Sequence, residues 1–316
     1  MIDVMQTVGG KYFDTFNTIS ACCEKKLLQE AMDQCPFYNA LLSKTVEGSD
    51  VWRINHAAGK PVSVSEHTLT ILKTAAEISA ASAGAFNIAV GPAINLWRFT
   101  SGEAKIPDTE RLKTIVSNAD CSKIRLQGSN VTVPAGMEID LGGIAKGYIV
   151  DRIADFLHER GVRNAILNFG GNVVTLGNKT DGSPWIVGLQ APFGEHGKKC
   201  WAAVPCSNQC VVTSGVYERG FYLDGVRYHH IVDPRTGWPV QNGVDCVTVR
   251  AENSLLADGL TTALFVLGPA EGLRLAERFH VQAVYLEHDG KISYTSGFYF
   301  VILENEAPTV TAERAS

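Results

Sequence analysis

The sequence predicts an α+β fold, with mixed and antiparallel sheets packed against helices. Short apolar runs of strand character fill the second half, among them RNAILNF, PWIVGLQ, WAAVPC and CVVTSG. Asp224-Gly225 and Asp289-Gly290 each stand between two such runs, the signature of a two-residue hairpin turn. Helical periodicity with capping residues occurs elsewhere, most clearly where Ser65 precedes Glu66. A second half dominated by hairpin-linked strands, with helices elsewhere, accords with α+β.

In chain order, the alternating run YFDTFNTISACC, from Tyr12, reads as a first strand. EKKLLQEAMDQC then reads as a helix stopped by Pro36, with a second short helix on FYNALLSK. SDVWRIN (Ser49 to Asn55) reads as a loop-borne segment and His56 to Gly59 as a turn. A helix capped by Ser65 runs from Glu66 to about Ser82, with Leu69, Leu72, Ala76 and Ile78 on its apolar face. Ala83 to Phe99 is apolar, rich in small residues and broken at Gly91-Pro92; inside it, Asn87 needs hydrogen-bond partners if buried. Pro107-Asp108 open a helix through Val116, and KIRL with NVTV form a hairpin around QGSN.

Next comes EIDLGGIAKGYIVDRIADFL, Glu138 to Leu157, a short extended segment, a glycine turn and a helix ending near Arg160. Strands follow on either side of Gly170-Gly171, then the hairpin RGFYLDGVRYHH and the strand VDCVTVRA. Asn253 or Ser254 caps a helix over LLADGLTTALFVLG, Pro269 begins a last helix to Phe279, and the final hairpin turns on Asp289-Gly290. Residues 1–304 read as a single domain with room for two lobes, and 305–316 as a disordered tail.

Composition narrows the function classes. Of 316 residues, 45% are hydrophobic and 19% charged, as in a folded globular protein. A net charge of −5 lacks the basic face that nucleic acid requires. No run approaches the roughly 20 apolar residues of a membrane span. Ile19-Ser20-Ala21-Cys22 looks like the box before a lipidated cysteine, but Lys11 and Asp14 interrupt the stretch ahead of it, so the expectation is a cytoplasmic protein. The eight cysteines contain no CxxC pair and read as buried thiols rather than zinc ligands, despite Cys206, Cys210, His229 and His230.

Three places offer chemistry. Glycines entering a helix, with Lys146 in its first turn, suit an anion such as phosphate, although a plain strand-turn-helix with a surface lysine fits equally. Neither the Walker pattern nor GxGxxG is present. Asp258 and Thr262, four apart, share a helix face and offer hard oxygens suited to Mg²⁺, or else serve only their own helix. His230 ends a hairpin strand where an imidazole serves either as a proton acceptor or as structure, and strand alternation puts His229 on the opposite face. Ser214 has no evident relay, so a serine hydrolase is not indicated.

Together the segments SDVWRIN, GAFNIAVGPAINLW, DLGGIAKGYIVD, NFGGN, TSGVYERGF, YHHIVDPRTGWPV and ADGLTTALFVLG resemble, in order, the FAD:protein FMN transferases of the ApbE type. The resemblance spans about Tyr12 to Gly297 and implies an ApbE-like fold with an FAD cleft between sheet and helices. It implies an Mg²⁺-dependent enzyme, Mn²⁺ being the alternative, that moves FMN from FAD onto a Thr or Ser hydroxyl of an acceptor flavoprotein and releases AMP. By motif, Asp140 and Lys146 would contact FAD, with Ala85, Phe86 and Asn87 lining the cleft, Phe13 near it and Val232 beside it. Asp258 and Thr262 would bind the metal with the Gly143 carbonyl, Thr261 would be a weaker ligand, and His230 the base. Departures stand at Phe13, Asn87 and Val216, and Thr45 occupies the position of a family tyrosine. An FAD pyrophosphatase with the same site, and a non-catalytic FAD-binding or delivery protein, are the alternatives.

Overall fold

Two antiparallel strands, β1 (Gln6–Tyr12) and β2 (Thr15–Ala21), open the part of the chain that the computed structural model describes: residues 4–99, 105–192 and 199–303, with the backbone of 311–314. Short helices α1 (Lys25–Met32), α2 (Cys35–Leu42) and α3 (Asp50–Asn55) follow. β3 (Val62–Ser63) leads into α4 (Glu66–Ala81), α5 (Gly91–Trp97) and α6 (Thr109–Asn118). β4 (Arg125–Gln127) and β5 (Asn130–Thr132) form a hairpin that β3 extends. After α7 (Ala145–Glu159) come β6 (Ala165–Phe169), β7 (Asn172–Leu176), β8 (Trp185–Gln190), β9 (Cys200–Cys206) and β10 (Cys210–Gly215). The hairpin β11 (Gly220–Leu223) and β12 (Val226–His229) precedes β13 (Val244–Ala251) and α8 (Ser254–Arg278). β14 (Gln282–Glu287), β15 (Lys291–Tyr294), β16 (Val301–Ile302) and β17 (Thr311–Arg314) complete the order.

A nine-stranded sheet, β1-β2-β6-β7-β10-β13-β14-β15-β17, organises the molecule, antiparallel except at β15–β17. Period-two alternation gives it two dry faces. Val212, Val247, Val249, Ala283 and Tyr285 face the helices, in one core with Ile71, Ile153, Leu260 and Leu264. Val211, Cys246, Val284 and Leu286 face the small sheet β16-β9-β8, where Trp201, Val187 and Val204 cover them. This is the α+β architecture expected. A third cluster joins α5 and α6 to the β11–β12 hairpin through Trp97, Leu112, Val232, Phe221 and Tyr228.

Several local expectations change. The first strand is a hairpin, because Phe13 and Asp14 take left-handed φ values of 55° and 58° and turn the chain. Asn17 holds that turn by donating to the Tyr12 carbonyl at 3.1 Å. SDVWRIN is the helix α3, capped by the Ser49 hydroxyl on the Trp52 amide at 2.9 Å. Pro36 lies in the first turn of α2, where its missing N–H costs nothing, and Gly91-Pro92 open α5 in the same way. On α4 it is Ala75, not Ala76, that is buried beside Leu72 and Ile78. α8 contains both expected helices, divided at Gly268 with φ 74° and ψ 176°. Of the tail expected to be disordered, 311–314 pair as β17; 304–310 and 315–316 lie outside the described residues. Ile19 and Ala21, from the box-like run before Cys22, are fully buried in β2.

Candidate active site

The site is built where α7 begins against the flank of α8. Gly147, in the first turn of α7, presses so closely on α8 that a Cβ there would stand 2.2 Å from the Ser254 carbonyl oxygen and 2.7 Å from Asp258 Cβ. Its amide is one of those that a helix leaves unpaired, and it donates to Asp258 Oδ2 at 2.9 Å. The Ile144 and Ala145 amides donate to the Leu141 carbonyl. The expected cradle of free helix-start amides is therefore largely used inside the protein, and Lys146 supplies the charge. Lys146 Nζ stands 3.8 Å from Asp258 Oδ1, outside hydrogen-bond distance, so that oxygen keeps its lone pairs for another partner.

Asp258 is 5% exposed, a buried carboxylate. One turn on, Thr262 is half-buried, and its Oγ1 lies 3.8 Å from where a Gly143 Cβ would be. The same point is 3.7 Å from the Phe86 ring, so Gly143, Thr262 and Phe86 converge. Thr261 is turned away: fully buried, it donates to the Asp258 carbonyl at 2.8 Å and accepts from Ser214 Oγ at 2.9 Å. One carboxylate with neutral hydroxyl and backbone oxygens is a hard donor set, suited to a Mg²⁺ that takes its other ligands from phosphate and water. No cluster of three His, Cys, Asp or Glu occurs among the described residues, and all eight cysteines are free thiols.

Asp140 lies on the segment that leads into α7. Its Oδ1 accepts from the Gly142 amide at 2.9 Å and its Oδ2 from Lys44 Nζ at 2.5 Å. Lys44 also reaches Asn95 Oδ1 at 3.2 Å. Both Asp140 oxygens are thus engaged within the protein. Asn55, at the end of α3, clamps this segment through both backbone groups of Ile139 at 2.8 and 2.9 Å. Ala85 and Phe86 are buried in the main core, while Asn87 accepts from the Ala89 amide and donates to the Ala119 carbonyl, tying its loop to the end of α6. Phe13 packs against the main core from its turn, Thr45 is exposed beside Ser43, and Val232 is buried in the α5–α6 cluster. Val216 is buried, its amide bonded to the Asp245 carbonyl.

His230 enters from the foot of the β11–β12 hairpin. Its amide and Nδ1 both lie against the Arg219 carbonyl, at 3.1 and 3.3 Å. A carbonyl only accepts, so Nδ1 carries the proton and Nε2 keeps the lone pair. Burial pushes this imidazole down to about 4; the neighbouring His229, Arg219 and Lys146 push the same way, against the Arg219 bond. His229 points to the other side, its Nε2 donating to the Val240 carbonyl at 2.8 Å and its ring edge-on to Phe265.

The ApbE family model matches residues 13–285, most of the chain. This chain belongs to the ApbE family. An FAD:protein FMN transferase of Klebsiella pneumoniae (strain 342) is 39% identical to it, over 82% of this chain and 81% of that one. One of Treponema pallidum (strain Nichols) is 35% identical, over 85% and 79%. An ApbE protein from Thermotoga maritima superposes with a TM-score of 0.84 at 30% identity, covering 92% of this chain and 96% of its own. The flavin transferase ApbE from Vibrio cholerae gives 0.80 at 29%, covering 90% and 94%.

Two residues of this ApbE-family site escaped the sequence reading. Lys44 is 96 residues from Asp140, and only the fold joins them. Asp151, on α7, accepts from the Ser254 and Leu255 amides at 3.1 and 2.9 Å and so caps α8 from a neighbouring helix. Its spacing from Lys146 in DLGGIAKGYIVD was visible, but nothing local marks it as a cap.

Proposed function

We propose that this protein transfers FMN from FAD to a Thr or Ser hydroxyl of an acceptor flavoprotein, forming a phosphoester and releasing AMP. The observation that carries the reading is the convergence of Asp258, Lys146, Thr262 and Gly143 at the α7–α8 junction in an ApbE-family chain. Asp258, Thr262 and the Gly143 carbonyl would hold Mg²⁺, with Mn²⁺ as the alternative. When bound, the ion neutralises charge on the FAD phosphate oxygens.

The chain's own residues do the rest. Lys146 steadies the phosphate at the mouth of α7, and Phe86 with Ala85 walls the cleft. Asp140, Asn87, Phe13, Thr45 and Val232 shape the nucleotide pocket around it, while Thr261 fixes the α8 backbone behind Asp258. His230 Nε2 accepts the proton of the acceptor hydroxyl as its oxygen attacks the FMN phosphorus. The bond from that phosphorus to the bridging oxygen breaks, and AMP departs with the electron pair. Water in place of the hydroxyl gives free FMN, which is the pyrophosphatase reading. Eight free thiols agree with a cytoplasmic site of action.

The test is mass spectrometry of a threonine-bearing flavoprotein domain after incubation with enzyme, FAD and Mg²⁺. Covalent FMN on that threonine, absent from its Thr→Val counterpart, is expected. FAD bound but never cleaved would leave a flavin-binding protein instead.

A further inference from the structure

The β11–β12 hairpin that ends in His230 leaves one of its edges open. The Asp224-Gly225 turn closes on the pair Leu223 and Val226, and the His230 amide donates to the Arg219 carbonyl at 3.1 Å. Bonded pairs alternate along an antiparallel ladder, so they are Leu223 with Val226, Phe221 with Tyr228 and Arg219 with His230. Gly220 and Tyr222 on β11, and Arg227 and His229 on β12, therefore turn their backbone groups outward. On the β12 side the space is taken: Gln241 Nε2 donates to the Arg227 carbonyl at 3.0 Å, and the His229 ring donates through Nε2 to the Val240 carbonyl. On the β11 side, among the described residues, the backbones of Gly220 and Tyr222 have no hydrogen-bond partner.

That edge is exposed, with Tyr222 67% accessible, and GFYL carries neither the charge nor the proline that usually blunts an edge strand. The hairpin is also held ready. Phe221 and Tyr228 stack at 5.5 Å, and Tyr228 stacks on Trp97 at 5.5 Å. The His230 ring leans on the Arg219 carbonyl, hence toward β11 rather than away from it.

We propose that the outer edge of β11 receives an extended segment of the acceptor protein as an added strand, hydrogen-bonded to Gly220 and Tyr222, which presents its hydroxyl to His230 Nε2. The inference rests on the FMN transfer proposed above, because that reaction must bring a foreign polypeptide hydroxyl to this imidazole. Strand addition uses backbone groups for affinity, so it suits an acceptor defined by a short exposed segment. An added strand lies about 4.8 Å from β11, within side-chain reach of the hairpin's foot.

Tyr222→Pro removes one outward N–H, and because Tyr222 is in an unbonded pair it leaves the hairpin's own ladder intact; Tyr222→Ala keeps the N–H. With a threonine-bearing flavoprotein domain as probe, the proline variant should lose about tenfold in kcat/KM for that domain. The alanine variant should stay within about threefold of wild type, and FAD affinity measured without acceptor should not change in either. Equal rates for the two variants would overturn the docking edge. Amide hydrogen exchange on the wild-type enzyme provides an independent check: slower exchange at Gly220 and Tyr222 on adding the domain supports the proposal, and unchanged exchange refutes it. Protection that instead rises with enzyme concentration alone would assign the edge to a second copy of this chain, and also refute it. No transfer by the wild-type enzyme would strike at the proposed function itself.

Discussion

Asp258 has one oxygen committed to the Gly147 amide and one facing Lys146 across 3.8 Å. Replacing it with alanine should lower turnover at least about 10²-fold while FAD still binds, as equilibrium titration beside steady-state assays would show. Full activity with metal present would contradict the assignment. His230→Ala should slow transfer about 10²- to 10⁴-fold with little change in FAD affinity. A lowered pKa has a definite sign here: the neutral, accepting form fills as pH rises through about 4, not through the ordinary 6.5. The acid limb of kcat/KM should therefore fall near pH 4, and a midpoint near 6.5 would contradict the desolvation of this imidazole. At this scale the sequence was informative where residues share one helix face or one hairpin, as Asp258 with Thr262 and His229 against His230. It was silent where the fold makes the pair, as for Lys44 with Asp140. It also assigned Thr261 a metal role, although its hydroxyl is bonded to Ser214 and to the helix backbone.

At the scale of elements, the α7–α8 crossing is decisive. Gly147→Ala places a methyl group 2.2 Å from the Ser254 carbonyl, a backbone atom that cannot swing aside. The helices must separate, at a cost of about 1–3 kcal/mol, and Asp258 moves with α8. A lowered melting temperature with a disproportionate loss of turnover is expected; unchanged values would contradict this packing. Asp151 adds a pH signature to the same crossing. Burial raises its carboxyl to about 7 despite the two amide bonds it accepts. Because this folded pKa exceeds the unfolded one, the group contributes most below about 4 and loses that contribution as pH rises through about 7. Asp151→Asn should therefore lose more in melting temperature relative to wild type at pH 5 than at pH 8, and a reversed order would refute it. SDVWRIN shows why such elements were hard to read. Its six-residue helix is held by Asp50, which accepts from the Ser65 amide, the Thr68 hydroxyl and Arg53. Burial alone would raise that carboxyl, but those bonds outweigh it and hold it below its ordinary value. Helix signals this short come from tertiary contacts, not from periodicity.

For the whole molecule, the sequence foretold α+β from hairpin turns and alternation, and the layers follow that alternation residue by residue, with Val211 on one face and Val212 on the other. Sheet order was out of reach, because β2 pairs with β6 across more than a hundred residues, and no local pattern encodes that pairing. With a net charge of −5, the protein attracts no anion by its overall field, so the proposed function places the binding of FAD on local groups, Lys146 among them. The central claim is that these groups make one phosphoryl-transfer site. It is tested most directly by incubating the protein with FAD and Mg²⁺, with and without a threonine-bearing flavoprotein domain, and quantifying AMP, free FMN and protein-bound FMN. AMP matched by protein-bound FMN, only when the domain is present and lost on chelation, is the result expected. FAD recovered intact under every condition would contradict it.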